Sequence, residues 1–158
     1  TNKFVERHLF LDVLDFVRIW NGPSRYLYAS MGGRYLEDFK LVYERFAFDR
    51  MLSIESDVTT HKRQLFNRPI GFVECRNQTS GQLIETFDEL LAGNADRRFV
   101  VWLDFAAANE RRSQLREFED LTAKLRSGDV CKITLNANPE SHGWSRCQRV
   151  RTLRFYWS

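Results

Sequence analysis

Two spacings of apolar residues alternate along this chain. Val5, Leu9, Val13, Phe16, Val17 and Trp20 recur every three or four positions, which predicts a helix over residues 4–20 with those residues as one face. Asn21-Gly22-Pro23-Ser24 stops it, because glycine and proline continue a helix only at a cost. Short apolar runs then take turns with helical stripes. Strands are predicted at 25–30 (RYLYAS), 50–55 (RMLSIE), 70–75 (IGFVEC), 99–103 (FVVWL) and 130–135. Between them, Tyr35, Phe39, Val42, Tyr43 and Phe46 mark one helix. Residues 57–66 form the next, with Asp57 as its N-cap and Asn67-Arg68-Pro69 as its end. Leu83, Ile84, Phe87, Leu90 and Leu91 mark a third, closed by Gly93-Asn94, and Leu115, Phe118, Leu121 and Leu125 a fourth, ended by Ser127-Gly128.

The run 99–103 has five consecutive apolar residues, as a central parallel strand buried on both faces does. A helix follows each of the first four strands. The expected fold is α/β: a doubly wound, mostly parallel five-stranded sheet with helices on both faces, preceded by an N-terminal helix. This divides the chain into a helix and linker (1–24), a core (25–138) and a tail (139–158). The tail shows no period before Val150–Trp157, which reads as an edge strand or a disordered end.

Length and charge narrow the reading. The 158 residues suffice for one domain. The net charge of +3 comes from the tail: residues 1–141 hold 20 basic and 21 acidic residues, and Arg146, Arg149, Arg151 and Arg154 follow without an acid. Nucleic acid is therefore expected only through the tail, where Phe155-Tyr156-Trp157 add stacking surfaces. No apolar run approaches the ~18–20 residues of a membrane span, and Thr1–Arg7 show no signal-peptide pattern. Cys75, Cys131 and Cys147 suit neither a disulfide framework nor a zinc site and favour a reducing, cytoplasmic setting. His8, His61 and His142 share no ligand motif, and no metal is expected.

In an open parallel sheet, ligands bind at the carboxyl ends of the strands, where strand order reverses. That rule brings Ser30, Met31, Gly32 and Gly33 together with Glu55, with Asn77 and Gln78, and with Asp104. Gly32-Gly33 serves either a close approach of backbone to ligand or only a tight turn. Glu55 stands 23 residues after Gly32, a spacing at which a carboxylate accepts both ribose hydroxyls. Asn77 and Gln78 offer donor and acceptor to a base edge, or form a polar loop. Asp104 either orients a substrate and takes its proton or caps a turn.

The segments YLYASMGGRYLEDF (26–39), MLSIESD (51–57), FVECRNQ (72–78), FVVWLDF (99–105) and VCKITLNAN (130–138) resemble the class I S-adenosylmethionine-dependent methyltransferases, a Rossmann-like family. MGGRYLEDF followed by MLSIESD is particularly similar to a bacterial group of methyltransferase-like proteins of poorly defined substrate. The resemblance implies S-adenosylmethionine as cofactor. It puts Tyr28, Ser30, Gly32 and Gly33 at the methionine part, Glu55 at the ribose, Asn77 or Gln78 at the adenine, and Asp104 at the methyl acceptor. The chain departs from the family pattern where Tyr28 replaces an acid and Ser30 the first glycine. No N/D-P-P-Y signature follows strand four, which argues against DNA amino-group methylation. The family continues through two further strands, for which only about 20 residues remain after Asn138. The chain then reads as a truncated domain or as one whose C-terminal sheet edge meets a protein partner. The competing readings are a catalytically inactive Rossmann-like module binding a cofactor or partner and, lower, an NAD-type dehydrogenase, which the missing G-x-G-x-x-G opposes.

Overall fold

The computed structural model describes residues 2–21 and 25–136, with side chains described for 3–16 and 25–136. Its elements are α1 (Asn2–Asn21), β1 (Tyr26–Ser30), α2 (Glu37–Phe46), β2 (Arg50–Ile54), α3 (Val58–Asn67), β3 (Val73–Arg76), α4 (Ser80–Glu85), α5 (Phe87–Ala92), β4 (Arg98–Asp104), α6 (Arg111–Lys124) and β5 (Val130–Thr134). The five strands form one sheet in the order β3-β2-β1-β4-β5, with every pairing parallel. This is the expected doubly wound α/β architecture. The strand order reverses between β1 and β4, where a crevice opens at the carboxyl ends.

Strand alternation splits the core in two. Tyr26, Tyr28, Met51, Val100 and Trp102 face α1 and α2, where Phe10, Leu11, Leu14, Phe39, Val42 and Phe46 meet them. Leu27, Ala29, Leu52, Ile54, Phe99, Val101 and Leu103 face Leu83, Ile84, Phe87 and Leu121. The central strands β1 and β4 are buried on both faces, which is why their sequences are continuous apolar runs. Edge strand β5 is only half-buried along its length.

The structure corrects several local expectations. On α1 the buried side chains are Phe10, Leu11 and Leu14, whereas Val5, Leu9 and Phe16 of the expected face are exposed. Apolar residues surround much of this helix, so spacing does not select a face. Polar contacts to the sheet and Arg45 pairing with Asp12 and Asp15 select it instead. Val17 and Trp20 lie outside the described side chains, as does the whole tail from residue 137.

β3 begins at Val73 rather than Ile70, because Ile70 closes a turn by accepting from the Val73 N–H at 3.2 Å. The single helix expected through Leu83–Leu91 is two. Thr86 breaks it, its hydroxyl donating to the Gln82 carbonyl at 3.0 Å and competing with the helical ladder. α2 starts at Glu37, leaving Tyr35 exposed while Leu36 takes the buried position. Leu115 on α6 is exposed, and Gln114 is buried instead, donating to the Ala107 carbonyl at 2.7 Å.

Capping follows the sequence more closely. Asp57 accepts from the Thr60 N–H at 2.7 Å and caps α3. Thr79 and Gln82 form a reciprocal capping box on α4.

Candidate functional site

β1 runs into Ser30-Met31-Gly32-Gly33, and this loop turns into α2. Two residues of the turn adopt left-handed backbone: Gly33 (φ 54°) and Leu36 (φ 52°). Glycine meets that demand without strain; the fully buried Leu36 meets it because packing holds it there. The two glycines do different work. A Cβ on Gly32 would stand 2.4 Å from Leu36 Cδ2, 2.6 Å from Phe39 Cε2 and 2.9 Å from Ser53 Oγ. A Cβ on Gly33 would meet nothing within 4 Å. Gly32 therefore lets α2 pack against the sheet, and Gly33 serves the turn and faces open space.

Two side-chain amides of α3 hold the loop. Gln64, fully buried, donates to the Gly33 carbonyl at 2.9 Å and accepts from Ser53 Oγ at 3.3 Å. Asn67 donates to the Arg34 carbonyl at 2.9 Å.

A cavity of about 110 Å³ lies at the switch point, lined by Ser30, Met31, Gly32, Gly33, Trp102 and Asp104 at the strand ends and by Asp38 of α2. Lys3 and Arg7 of α1 complete the wall. The Asp104 carboxylate is ion-paired with Lys3 through Oδ2, while its Oδ1 is buried without a partner among the described residues. Ser30 Oγ is likewise buried and makes no hydrogen bond of good geometry among the described residues, although it lies near enough to Asp38 and Tyr28 to act on both. A buried polar atom without a partner costs about 1–3 kcal/mol, so Asp104 Oδ1 in this cavity points to a group that would satisfy it.

Asp38 forms part of the floor. Tyr28 Oη donates to its Oδ2 at 2.7 Å, and both side chains are buried. Burial pushes the Asp38 carboxyl above the usual carboxylate range, against the pull of the Tyr28 and Ser30 hydroxyls and the Arg7 charge. Burial, then the Asp38 charge, pushes Tyr28 well above its ordinary value, so its phenol stays a donor. Trp102 is oriented by a relay: its indole N–H donates to Thr134 Oγ1 at 3.0 Å, and that hydroxyl donates to Glu6 on α1 at 2.5 Å. Lys132 lies 3.5 Å from the centre of a Trp102 ring and 3.0 Å from Glu6. Burial opposes charge on Glu6, yet the Thr134 and Lys132 contacts hold its carboxyl below the usual range.

The other expected residues sit along the same edge, at the ends of β2 and β3, and do not line this cavity. Glu55 Oε1 accepts from the Asp57 N–H at 2.9 Å. Asn77 Nδ2 donates to the Glu55 carbonyl at 2.7 Å and to that of Ser56 at 3.2 Å, so its amide nitrogen ties two loops together. Gln78 Nε2 is buried without a partner among the described residues.

Other chemistries find little support. Burial pushes the Cys131 thiol up to about 12 and raises Cys75, so neither is poised as a thiolate. Among the described residues no group of three His, Cys, Asp or Glu side chains is placed to hold a metal, and no helix is long and apolar enough to cross a membrane.

The comparison with protein families agrees with the strand order and crevice. Residues 1–155 match a family described as "Putative O-methyltransferase". The chain belongs to this methyltransferase family. A search of curated proteins found no match, nor did a search of solved structures.

Within this methyltransferase domain, the cavity brings together Ser30, Gly32, Gly33 and Asp104 of the expected residues and places Tyr28 directly beneath. Sequence reasoning missed Asp38, Lys3, Arg7 and Trp102. Asp38 carries a legible signal, a carboxylate at 38 on the stripe 38-39-42-46 that α2 buries. Lys3 and Arg7 stand in line with Phe10 and Leu14, the stripe that tertiary contacts chose.

The raised Asp38 value makes a pH prediction. A carboxyl whose folded-state pKa is raised stabilises the fold fully below its unfolded value, and that contribution is lost as pH rises through the folded value. Asp38→Asn keeps an acceptor for Tyr28 and removes the titration. Urea midpoints from about pH 3.5 to 7 are expected to show wild type losing ground to Asp38→Asn as pH rises, by at most about 1.4 kcal/mol per pH unit. Parallel curves would refute the assignment.

Proposed function

We propose that this chain is an S-adenosylmethionine-dependent methyltransferase acting on a hydroxyl acceptor. The observation that carries the reading is the buried Asp104 Oδ1, without a partner among the described residues, beside Ser30 Oγ in one cavity at the switch point of the sheet. It asks for a polar ligand where this fold binds one, and the family described above is one of methyl transfer. The cofactor supplies a methyl group already activated on a sulfonium.

The protein's own residues then have defined tasks. Ser30, the open face of Gly33 and the Tyr28-held Asp38 serve the amino-acid end. Gly32 sets the spacing of the loop. Glu55, whose second carboxylate oxygen takes no donor among the described residues, serves the ribose hydroxyls. Gln78 Nε2 offers a donor to the base, and Asn77 holds the loop between them. Asp104 orients the acceptor hydroxyl and takes its proton as the oxygen gains the methyl group. Most of the rate then comes from positioning.

Calorimetric titration with S-adenosylmethionine and S-adenosylhomocysteine, with NAD as control, tests the reading. Micromolar binding of the two sulfur compounds is expected, weakened ten-fold or more by Glu55→Ala, the loss of about 1.4 kcal/mol. Binding of NAD instead, or of none of the three, would sink it. Binding without methyl transfer to any hydroxyl acceptor in a wide screen would favour an inactive cofactor-binding module.

A further inference from the structure

The cavity is small for the job. About 110 Å³ falls below the roughly 300–1,000 Å³ of pockets that bury a ligand of cofactor size. What narrows it is α1, whose Lys3 and Arg7 stand in the wall.

The two halves of α1 are held differently. Phe10, Leu11 and Leu14 are buried in the core, and Phe10 packs edge-on against Trp102 at 5.2 Å. Ahead of them the apolar side chains Phe4, Val5 and Leu9 are all more than half exposed. The attachment of this half is polar: Lys3 to Asp104, and Glu6 to Thr134 and Lys132. The Lys3 side chain is itself 55 % exposed. Lys3 stands seven residues before Phe10, about 10 Å along the axis, so tilting of these turns need not disturb the anchor.

We propose that the first two turns of α1 are a gate over the cofactor site, closed in this structure, with the Lys3 ammonium occupying the Asp104 carboxylate until ligand binding displaces it. The proposal rests on the cofactor reading above and adds regulation of the same site. It accounts for three facts together: the undersized cavity, a carboxylate satisfied by one of two oxygens, and a helix half without apolar anchorage. The gate senses ionic strength as well as ligand, because a partly exposed ion pair weakens with salt.

The test uses the whole chain, S-adenosylhomocysteine as probe, and Lys3→Gln. Stopped-flow binding is expected to show association and affinity both raised about two- to five-fold in Lys3→Gln, the range expected from losing a partly exposed ion pair. Wild type is expected to move the same way between about 0.05 M and 0.5 M salt. Without ligand, amides of residues 6–9 are expected to exchange faster than those of 10–16, and faster again in Lys3→Gln. Weaker binding by Lys3→Gln would make Lys3 a ligand contact and overturn the gate. Unchanged binding, or equal protection of the two halves, would overturn it as well, and each leaves the cofactor reading standing. No binding by either protein would end both.

Discussion

Asp104→Asn is expected to lower methyl transfer by about 10²–10⁴, the range for loss of a positioned general base. The substitution keeps shape and hydrogen-bonding capacity at the end of β4, so the fold should hold. The amide cannot take the acceptor's proton, and it no longer attracts Lys3. Affinity for S-adenosylhomocysteine should therefore be retained or rise while turnover falls. That split separates a catalytic role from a structural one. The measurement is single-turnover transfer of labelled methyl to whichever hydroxyl acceptor wild type uses in a screen, beside calorimetry. Turnover within a few-fold of wild type would remove Asp104 from the chemistry. Parallel loss of binding and turnover would make it a binding residue.

Gly32→Ala should destabilise the protein by about 3 kcal/mol, at the top of the range for overpacking. The added Cβ would meet Leu36, Phe39 and Ser53 at 2.4, 2.6 and 2.9 Å. None of the three can retreat cheaply, since all are buried and Leu36 is already in left-handed backbone. Displacing Ser53 also disturbs Gln64, which holds the Gly33 carbonyl, so cofactor affinity should fall with stability. For a domain of this length the expected fall in Tm is about 6–12 °C. Gly33→Ala is the control: its Cβ meets open space, and only its left-handed backbone costs, about 1 kcal/mol. Thermal melts that rank the two variants equally would overturn the division of labour between the glycines.

Much of this architecture is written in local pattern. The run 99–103 reads as a central strand because burial on both faces leaves an uninterrupted apolar sequence, and the run 25–30, read as the first strand, proves to be buried from Tyr26 to Ser30 as well. The alternation of such runs with helical stripes dictates a parallel sheet. A parallel sheet in turn puts Ser30, Gly32, Gly33 and Asp104 at one end before any contact is known. Asp57 and Thr79 cap their helices because short polar side chains at those positions satisfy free N–H groups a few residues away. These are short-range consequences of side-chain shape and hydrogen bonding.

Other features depended on residues far apart in the chain. Which face of α1 turns inward was not set by its own period, because apolar side chains surround most of it. The choice was made by Asp104, Thr134 and Arg45, lying 30 to 128 residues away from their α1 partners. Asp38 was only half legible: its place on the buried stripe of α2 is readable, but that it pairs with a buried phenol shows only when Tyr28 on β1 is seen to donate to it. Gly32 and Gly33 look equivalent in sequence and differ only in what stands opposite a missing Cβ. The sequence by itself thus determined the fold class, the strand ends that form the crevice and the likeness to a methyltransferase family. Only the tertiary structure decided how that crevice is walled and how far it is closed, because those depend on long-range pairing of charges and on space, neither of which leaves a periodic trace.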